Sequence, residues 1–457
     1  MEKLRLFSFA LLASTVMMVV GCTPTTSSSE IVSSSTPVSS EVSSEEVSSE
    51  EPVSSSSEEP LEEPSQGVTA TTITVGNTAA VSGALAFVGM PFNAGINAVF
   101  EEVNDAGGIG GRTINLLNRD DGFNAAVGVA NTEKLVEDDQ VFALVGHFGT
   151  GTVGATLDYI QEMGIPMVYA ATGINALYQQ KAIGSPVMPV QPIYKTEGRI
   201  MLARVLRETD LFGTVDSVGV IYTDDDAGTS IQNGIVAEGY ALGVGTGFTI
   251  SYQKVSAVTG TDYSAAVLAL QTAGVDCIII AANQVPFKAI LTQMANSAYE
   301  VPVLTSYVNA AATSIPAGGV TAGRPVYANA WVDVFSATAA TELGSFAATL
   351  AAYSGIDAAT ATAYAGNSYA IAGYIAAKVF VAGLERVTAE HKGLTWANYI
   401  AAMESSAIDF PLGGSIDFTN GKRWGVDQLS LLKFDTTLAT PNFISAKPIQ
   451  SLDEIVG

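Results

Sequence analysis

The chain has 457 residues, with 45 acidic side chains against 20 basic ones, a formal net charge of −25 and two cysteines. So acidic a chain with no basic patch excludes nucleic acid as the expected partner, and two cysteines exclude a disulfide-dense scaffold. No residue pattern calls for a cofactor or a metal ion.

In chain order, Lys3 and Arg5 precede an uncharged apolar run, Leu6 to Val20, closed by Gly21-Cys22. That is the layout of an export signal, too short and wrongly flanked for a membrane span. A small residue before a cysteine at this place resembles the bacterial lipobox. The resemblance implies that Cys22 carries lipid and anchors the mature chain to the outer face of the cell membrane. Residues 23–67 hold ten Glu and no Lys or Arg among Ser, Pro, Thr and Val. Such a segment buries too little apolar surface to fold, and its charge extends it into a tether. No later stretch reads as a membrane span. About 390 residues follow, too many for one hydrophobic core and suited to two.

From there short apolar runs alternate with helical periodicity, the pattern of an α/β fold built on parallel sheets. Thr72 to Gly76 opens as a strand. A helix is expected from Pro91, with Phe92, Ile96, Val99 and Val103 on one stripe. Strands at 114–118, 141–146 and 166–169 alternate with helices at 125–137 and 152–162. A second series starts near Ser217, with strands at 217–222, 248–253, 275–280 and 301–304 and helices at 228–242, 262–271 and 285–297. Cys277 falls in the third of these strands and reads as a small core residue. Further helices are expected at 341–350 and 368–384, and a strand at 429–434. Two successive series imply two lobes, and ligands of open parallel sheets bind at the carboxyl ends of the strands.

Four strand-end segments stand out: Ala80 to Gly89, with Ser82, Phe87 and Val88; Asn104 to Arg112, leading to Arg119-Asp120-Asp121; Val145 to Thr152, with His147, Phe148, Thr150 and Gly151; and Gly164 to Thr172, with Ala170, Ala171 and Thr172. The Gly149 to Thr152 stretch joins a strand to a helix, so free backbone N–H groups and hydroxyls converge there on a carboxylate-sized site. Together the four resemble the leucine/isoleucine/valine-binding protein family, the type I periplasmic binding proteins of branched-chain amino acid transporters, over about residues 72–435. The resemblance implies two Rossmann-like lobes joined by a three-segment hinge. It also implies that the Thr150 and Ala170 to Thr172 loops hold the ligand's carboxylate and ammonium groups.

Other positions depart from the family pattern. Val88 stands where an aromatic residue is expected before Gly89, with Phe87 one step earlier. Ala227 stands where the second lobe should offer an aromatic residue. Pro286 lies where an acid should meet the ligand ammonium, leaving Asn283, Gln284 or Asp226 to substitute. Tyr307 is a further wall residue. The loss of the acid puts amino-acid specificity in doubt, because a buried ammonium without a carboxylate is costly.

The expected division is 68–191 with 307–410 for the first lobe and 192–306 with 411–457 for the second. Crossings are placed at Val190 to Tyr194, Thr305 to Tyr307 and Phe410 to Ser415. Enzymatic function is not expected, since His147 and His391 have no nucleophile or carboxylate tied to them by a recognisable motif. Asp120-Asp121 and Asp224 to Asp226 lack calcium-loop spacing. The expected function is that of a substrate-binding lipoprotein feeding the permease of an ABC importer by hinge closure. The alternative is a lipid-anchored sensor signalling to a membrane receptor.

Overall fold

The computed structural model describes residues 62–457; the export signal, Cys22 and most of the expected tether lie outside them. The first series gives β1 (Thr72–Ala79), α1 (Ala86–Asp105), β2 (Thr113–Asp120), α2 (Ala125–Glu133), β3 (Leu144–Val145), α3 (Thr150–Met163), β4 (Met167–Val168) and β5 (Val187–Met188). These strands form one parallel sheet in the order β2-β1-β3-β4-β5. The second series gives α4 (Tyr194–Arg207), α5 (Thr209–Phe212), β6 (Ser217–Thr223), α6 (Asp226–Leu242), β7 (Thr249–Val255), α7 (Ser264–Ala273), β8 (Cys277–Ala281), α8 (Gln284–Asn296), β9 (Val303–Thr305) and β10 (Val326–Ala330). After it come α9 (Ala337–Ala352), α10 (Ala358–Tyr364), α11 (Ser368–Ala389), α12 (Trp396–Met403), the hairpin β11 (Ile408–Phe410) and β12 (Gly414–Ile416), then β13 (Gln428–Asp435), β14 (Asn442–Ser451) and α13 (Leu452–Val456).

The second sheet has the order β14-β13-β10-β9-β8-β6-β7, parallel except where β13 runs antiparallel to β10 and β14. Its interior strand β8, Cys277–Ala281, is buried along its whole length, as a strand covered on both faces must be. Cys277 is one of these core residues, and burial pushes its thiol well above its ordinary range.

Three details depart from the sequence expectation. Helix α1 starts at Ala86, with Pro91 inside it. By length and composition α1 could cross a membrane, but most of it is buried. It packs on α11 through Gly95 and Gly373, where a Cβ would collide with the backbone of the facing helix. Residues 62–67 are also not free: Gln66 Nε2 donates to the carbonyls of Val136 and Val141 at 3.0 and 3.1 Å, and the Ser65 amide donates to Leu394 O at 3.1 Å.

The crossings are redistributed as well. The first joins β5 to α4 at 189–193. The second is not at Thr305 to Tyr307, because β10 pairs with β9 and keeps residues 307–330 in the second lobe; the chain crosses at 331–336. The third lies beyond the β11–β12 hairpin, at 417–427, where Val426 N donates to Val190 O at 2.9 Å and ties the last crossing to the first.

Candidate functional site

Glycine opens the site. Gly149 precedes α3 with φ 97°, in the region where a Cβ is strained, and no side chain caps the helix. The first amides of α3 therefore remain available to an anion, reinforced by the helix dipole. Thr150, the first residue of α3, and Thr172, beyond β4, bring their hydroxyls to 3.1 Å of each other, both buried. The phenol of Tyr194 adjoins the same pair. Burial pushes it up to about 12, so it stays protonated near neutral pH.

A chamber of about 90 Å³ opens on this cluster, lined from both lobes and from the crossings. Eight aromatic rings wall it: Phe92, Phe123, Phe148, Tyr169, Tyr194, Tyr307, Trp331 and Tyr369. Its polar side chains are Thr150, Gln191, Asn283, Gln284 and Ser368 with the phenols and the indole, and among the described residues no charged side chain lines it. An outer cleft of about 550 Å³ shares Leu85, Phe123, Thr150 and Asn283 with the chamber and adds Asp225 and Asp226. Thr150 thus stands where the two spaces meet.

The expected residues divide by where their side chains point. Val88, Phe148, Thr150, Ala171, Asn283, Gln284 and Tyr307 line the chamber, and Gly151 and Asp226 line the outer cleft. Phe87 lies outside the chamber, 41 % exposed, with its ring edge-on to Tyr369 at 6.2 Å. Val88, where the family pattern calls for an aromatic residue, is the one that faces inward. Thr172 stands behind Thr150.

Besides Phe87 and Thr172, four more expected residues line neither space. Ser82 turns to Asp120, whose carboxylate also accepts from the amides of Val81, Ser82 and Gly122 and is held below its ordinary range, chiefly by the Ser82 hydroxyl. His147 is buried on the other side of the strand end, its Nε2 3.0 Å from the Thr156 hydroxyl. Burial alone lowers it to about 4, so it is neutral near pH 7. Ala170 and Ala227 are core residues.

The aspartates have structural work. Asp121 accepts from Thr78 and Thr152 at 3.0 and 2.9 Å. Asp225 caps α6 by accepting from Gly228 N at 3.0 Å. Among the described residues no three His, Cys, Asp or Glu gather as metal ligands would.

Several wall residues escaped sequence reasoning: Gln191 and Tyr194 in and after the first crossing, Trp331 at the start of the second, and Tyr369 on α11. The only sequence signal was an aromatic next to an expected crossing, and Trp331 was hidden by the misplaced second crossing. The Tyr307 phenol donates to Pro192 O at 2.9 Å and accepts from Gln191 Nε2 at 3.0 Å, pinning the chamber wall to the first crossing. Behind it lies Glu197, fully buried, accepting from the Ser306 hydroxyl at 2.7 Å, the Tyr307 amide at 2.8 Å and the Asn329 amide group at 3.3 Å. Burial raises its carboxyl to about 7 against the pull of those donors.

Tyr169 is the least accommodated group. It is fully buried at the end of β4 with φ 59°, unusual for a bulky side chain. Its ring lies 5.9 Å from Phe92 and 6.0 Å from Trp331. Its hydroxyl has no hydrogen-bond partner among the described residues, a state that costs about 1–3 kcal/mol.

Residues 72–437 match the family described as periplasmic binding protein. A Leu/Ile/Val-binding protein homolog 2 of Brucella abortus is 33% identical over 100 residues, 22% of this chain and 27% of that one. The chain thus spans about a quarter of the length of the first curated relatives it matches. A fatty acid ABC transporter substrate-binding protein from Thermomonospora curvata superposes with TM-score 0.70 at 22% identity, over 86% of this chain and 96% of that one. A solute-binding protein of an ABC transporter from R. palustris, in complex with 4-hydroxybenzoate, does so with TM-score 0.68 at 18% identity, over 83% and 97%. The two lobes are those of the type I periplasmic binding fold, and with the family match extending across both of them the chain belongs to the periplasmic binding proteins.

Proposed function

We propose that this protein is the substrate-binding lipoprotein of an ABC importer, anchored outside the cell membrane through Cys22, and that it captures a small carboxylic acid with an apolar body. The observation that carries the ligand class is the chamber itself: an open helix start with paired hydroxyls, aromatic walls and no charged side chain. A carboxylate is satisfied there by Thr150, the first amides of α3 and the Tyr194 phenol. An ammonium finds no carboxylate in the chamber, and burying it unpaired is costly. The ligands named for the structural neighbours, a fatty acid and 4-hydroxybenzoate, have this chemistry.

The mechanism is hinge closure. The first lobe holds the carboxylate through the Thr150 loop, and the second lobe adds Asn283, Gln284 and Tyr307 on closing. Only contacts unique to the closed form shift the open–closed equilibrium. The closed protein then presents both lobes to the permease.

Thermal unfolding of the chain from Glu62, stripped of ligand, tests the reading against amino acids, small carboxylates and their uncharged amides. A carboxylate at a hundred times its dissociation constant should add about 2.7 kcal/mol. Thr150→Val should weaken that ligand about tenfold or more, through one lost charge-assisted hydrogen bond of about 1.5–3 kcal/mol. Equal shifts from acids and amides, or a response to α-amino acids alone, would overturn the ligand class.

A further inference from the structure

The four phenols of the chamber are not equivalent, and Tyr369 is satisfied by donating to Val308 O at 3.1 Å. Tyr307 both donates and accepts, and Tyr194 adjoins the Thr150–Thr172 hydroxyl pair. Tyr169 alone keeps a fully buried hydroxyl with no partner among the described residues, on a side chain that lines the chamber. Phenylalanine would fill the same space between Phe92 and Trp331 without that hydroxyl. The phenol is held there by a left-handed backbone at a non-glycine residue, which persists only where the surroundings enforce it.

From this we infer that Tyr169 is a specificity residue: the ligand carries, besides its carboxylate, a second oxygen, hydroxyl or carbonyl, that hydrogen-bonds the Tyr169 phenol. The ligand class narrows to hydroxylated or oxo carboxylic acids with an aliphatic or aromatic body. A site built to hydrogen-bond such an oxygen discriminates strongly against the analogue that lacks it, because the buried partner is then left unpaired. The inference rests on the carboxylate reading of the chamber.

The test is isothermal titration of the wild-type chain with two matched pairs, benzoate with 4-hydroxybenzoate and 3-methylbutanoate with 2-hydroxy-3-methylbutanoate, repeated on Tyr169→Phe. The hydroxylated member of at least one pair should bind at least tenfold more tightly to wild type, and that ratio should fall toward one in the variant. A ratio near one in both wild-type pairs overturns the inference while leaving the carboxylate reading standing. A ratio that Tyr169→Phe leaves unchanged overturns the role of Tyr169. Binding of none of the four acids overturns the carboxylate reading and the inference with it. The wild-type ratios need no variant, so the test does not depend on the folding of Tyr169→Phe.

Discussion

The loop into α3 and the loop into α8 occupy equivalent places at strand ends in the two lobes, yet they meet the chamber differently. The first has a glycine at φ 97° and leaves the helix start open beside a threonine pair. The second begins α8 at Gln284 after Asn283, and the Gln284 amide is already committed, donating to Val308 O at 3.1 Å. Neither helix start has a side-chain cap, but Pro286 removes one amide donor from the second, so the first wall, with its threonine pair, offers an anion more donors. The second lobe does hold an acid, Glu197, but it is spent one layer down on Ser306, Tyr307 and Asn329. On the proposed carboxylate reading, the difference puts recognition of the anion in the first lobe and the choice between an amino acid and a simple acid in the second.

The largest effect that sharpens this comparison concerns that hidden acid. Because its folded value is raised to about 7, Glu197 contributes stability that is fully present below its unfolded value, 4.5, and lost as the pH rises through about 7. The amount is on the order of 3 kcal/mol at about 1.4 per pH unit. His147, lowered to about 4, works in the opposite sense: its contribution is present above 6.5 and lost as the pH falls through about 4. The two oppose each other between pH 4.5 and 6.5. Urea unfolding of Glu197→Gln should therefore show stability rising from pH 4 to 6.5 and then level, where wild type is flatter and declines above 6.5. Superimposable profiles would show that Glu197 is not the group responsible.

The next effect breaks the first wall. In Gly149→Ala the new Cβ would stand 3.1 Å from the Phe123 ring, in a backbone region that already strains it. Unfolding should show a loss of about 1–3 kcal/mol, together with weaker carboxylate binding in calorimetry. A variant as stable as wild type would mean that the loop relaxes freely and the open helix start is not rigid. The smallest effect edits the second wall. Asn283→Asp places a carboxylate on the chamber, and α-amino acids should gain about tenfold in affinity, about 1.4 kcal/mol, while simple acids lose. No gain in equilibrium dialysis would move the discrimination away from this loop.

Much of this was readable from residues close together in the chain. The two α/β series follow from apolar runs and helical stripes such as Phe92, Ile96 and Val99, because burial on one face imposes a local period. The Thr150 loop was readable because a glycine, hydroxyls and a helix start are adjacent. His147 was misread for the same local reason: it neighbours Phe148 in sequence, but successive residues of an extended chain point to opposite sides, and it faces Thr156 in place of the chamber. The second crossing was misplaced because nothing in Thr305 to Tyr307 reveals that Val326–Ala330 will pair with β9.

By itself the sequence determined the two-lobed α/β architecture, the order of its elements and the glycine-led, uncapped start of α3, all set by neighbours a few residues apart. Only the tertiary structure decided which rings close the chamber, that Val88 and not Phe87 faces it, and that Glu197 is hidden beneath Tyr307. It alone left the Tyr169 hydroxyl without a partner among the described residues. Those facts depend on segments separated by up to about 280 residues, Phe87 and Phe92 from Tyr369 among them. Their approach is fixed by sheet order and close packing, which no local period encodes.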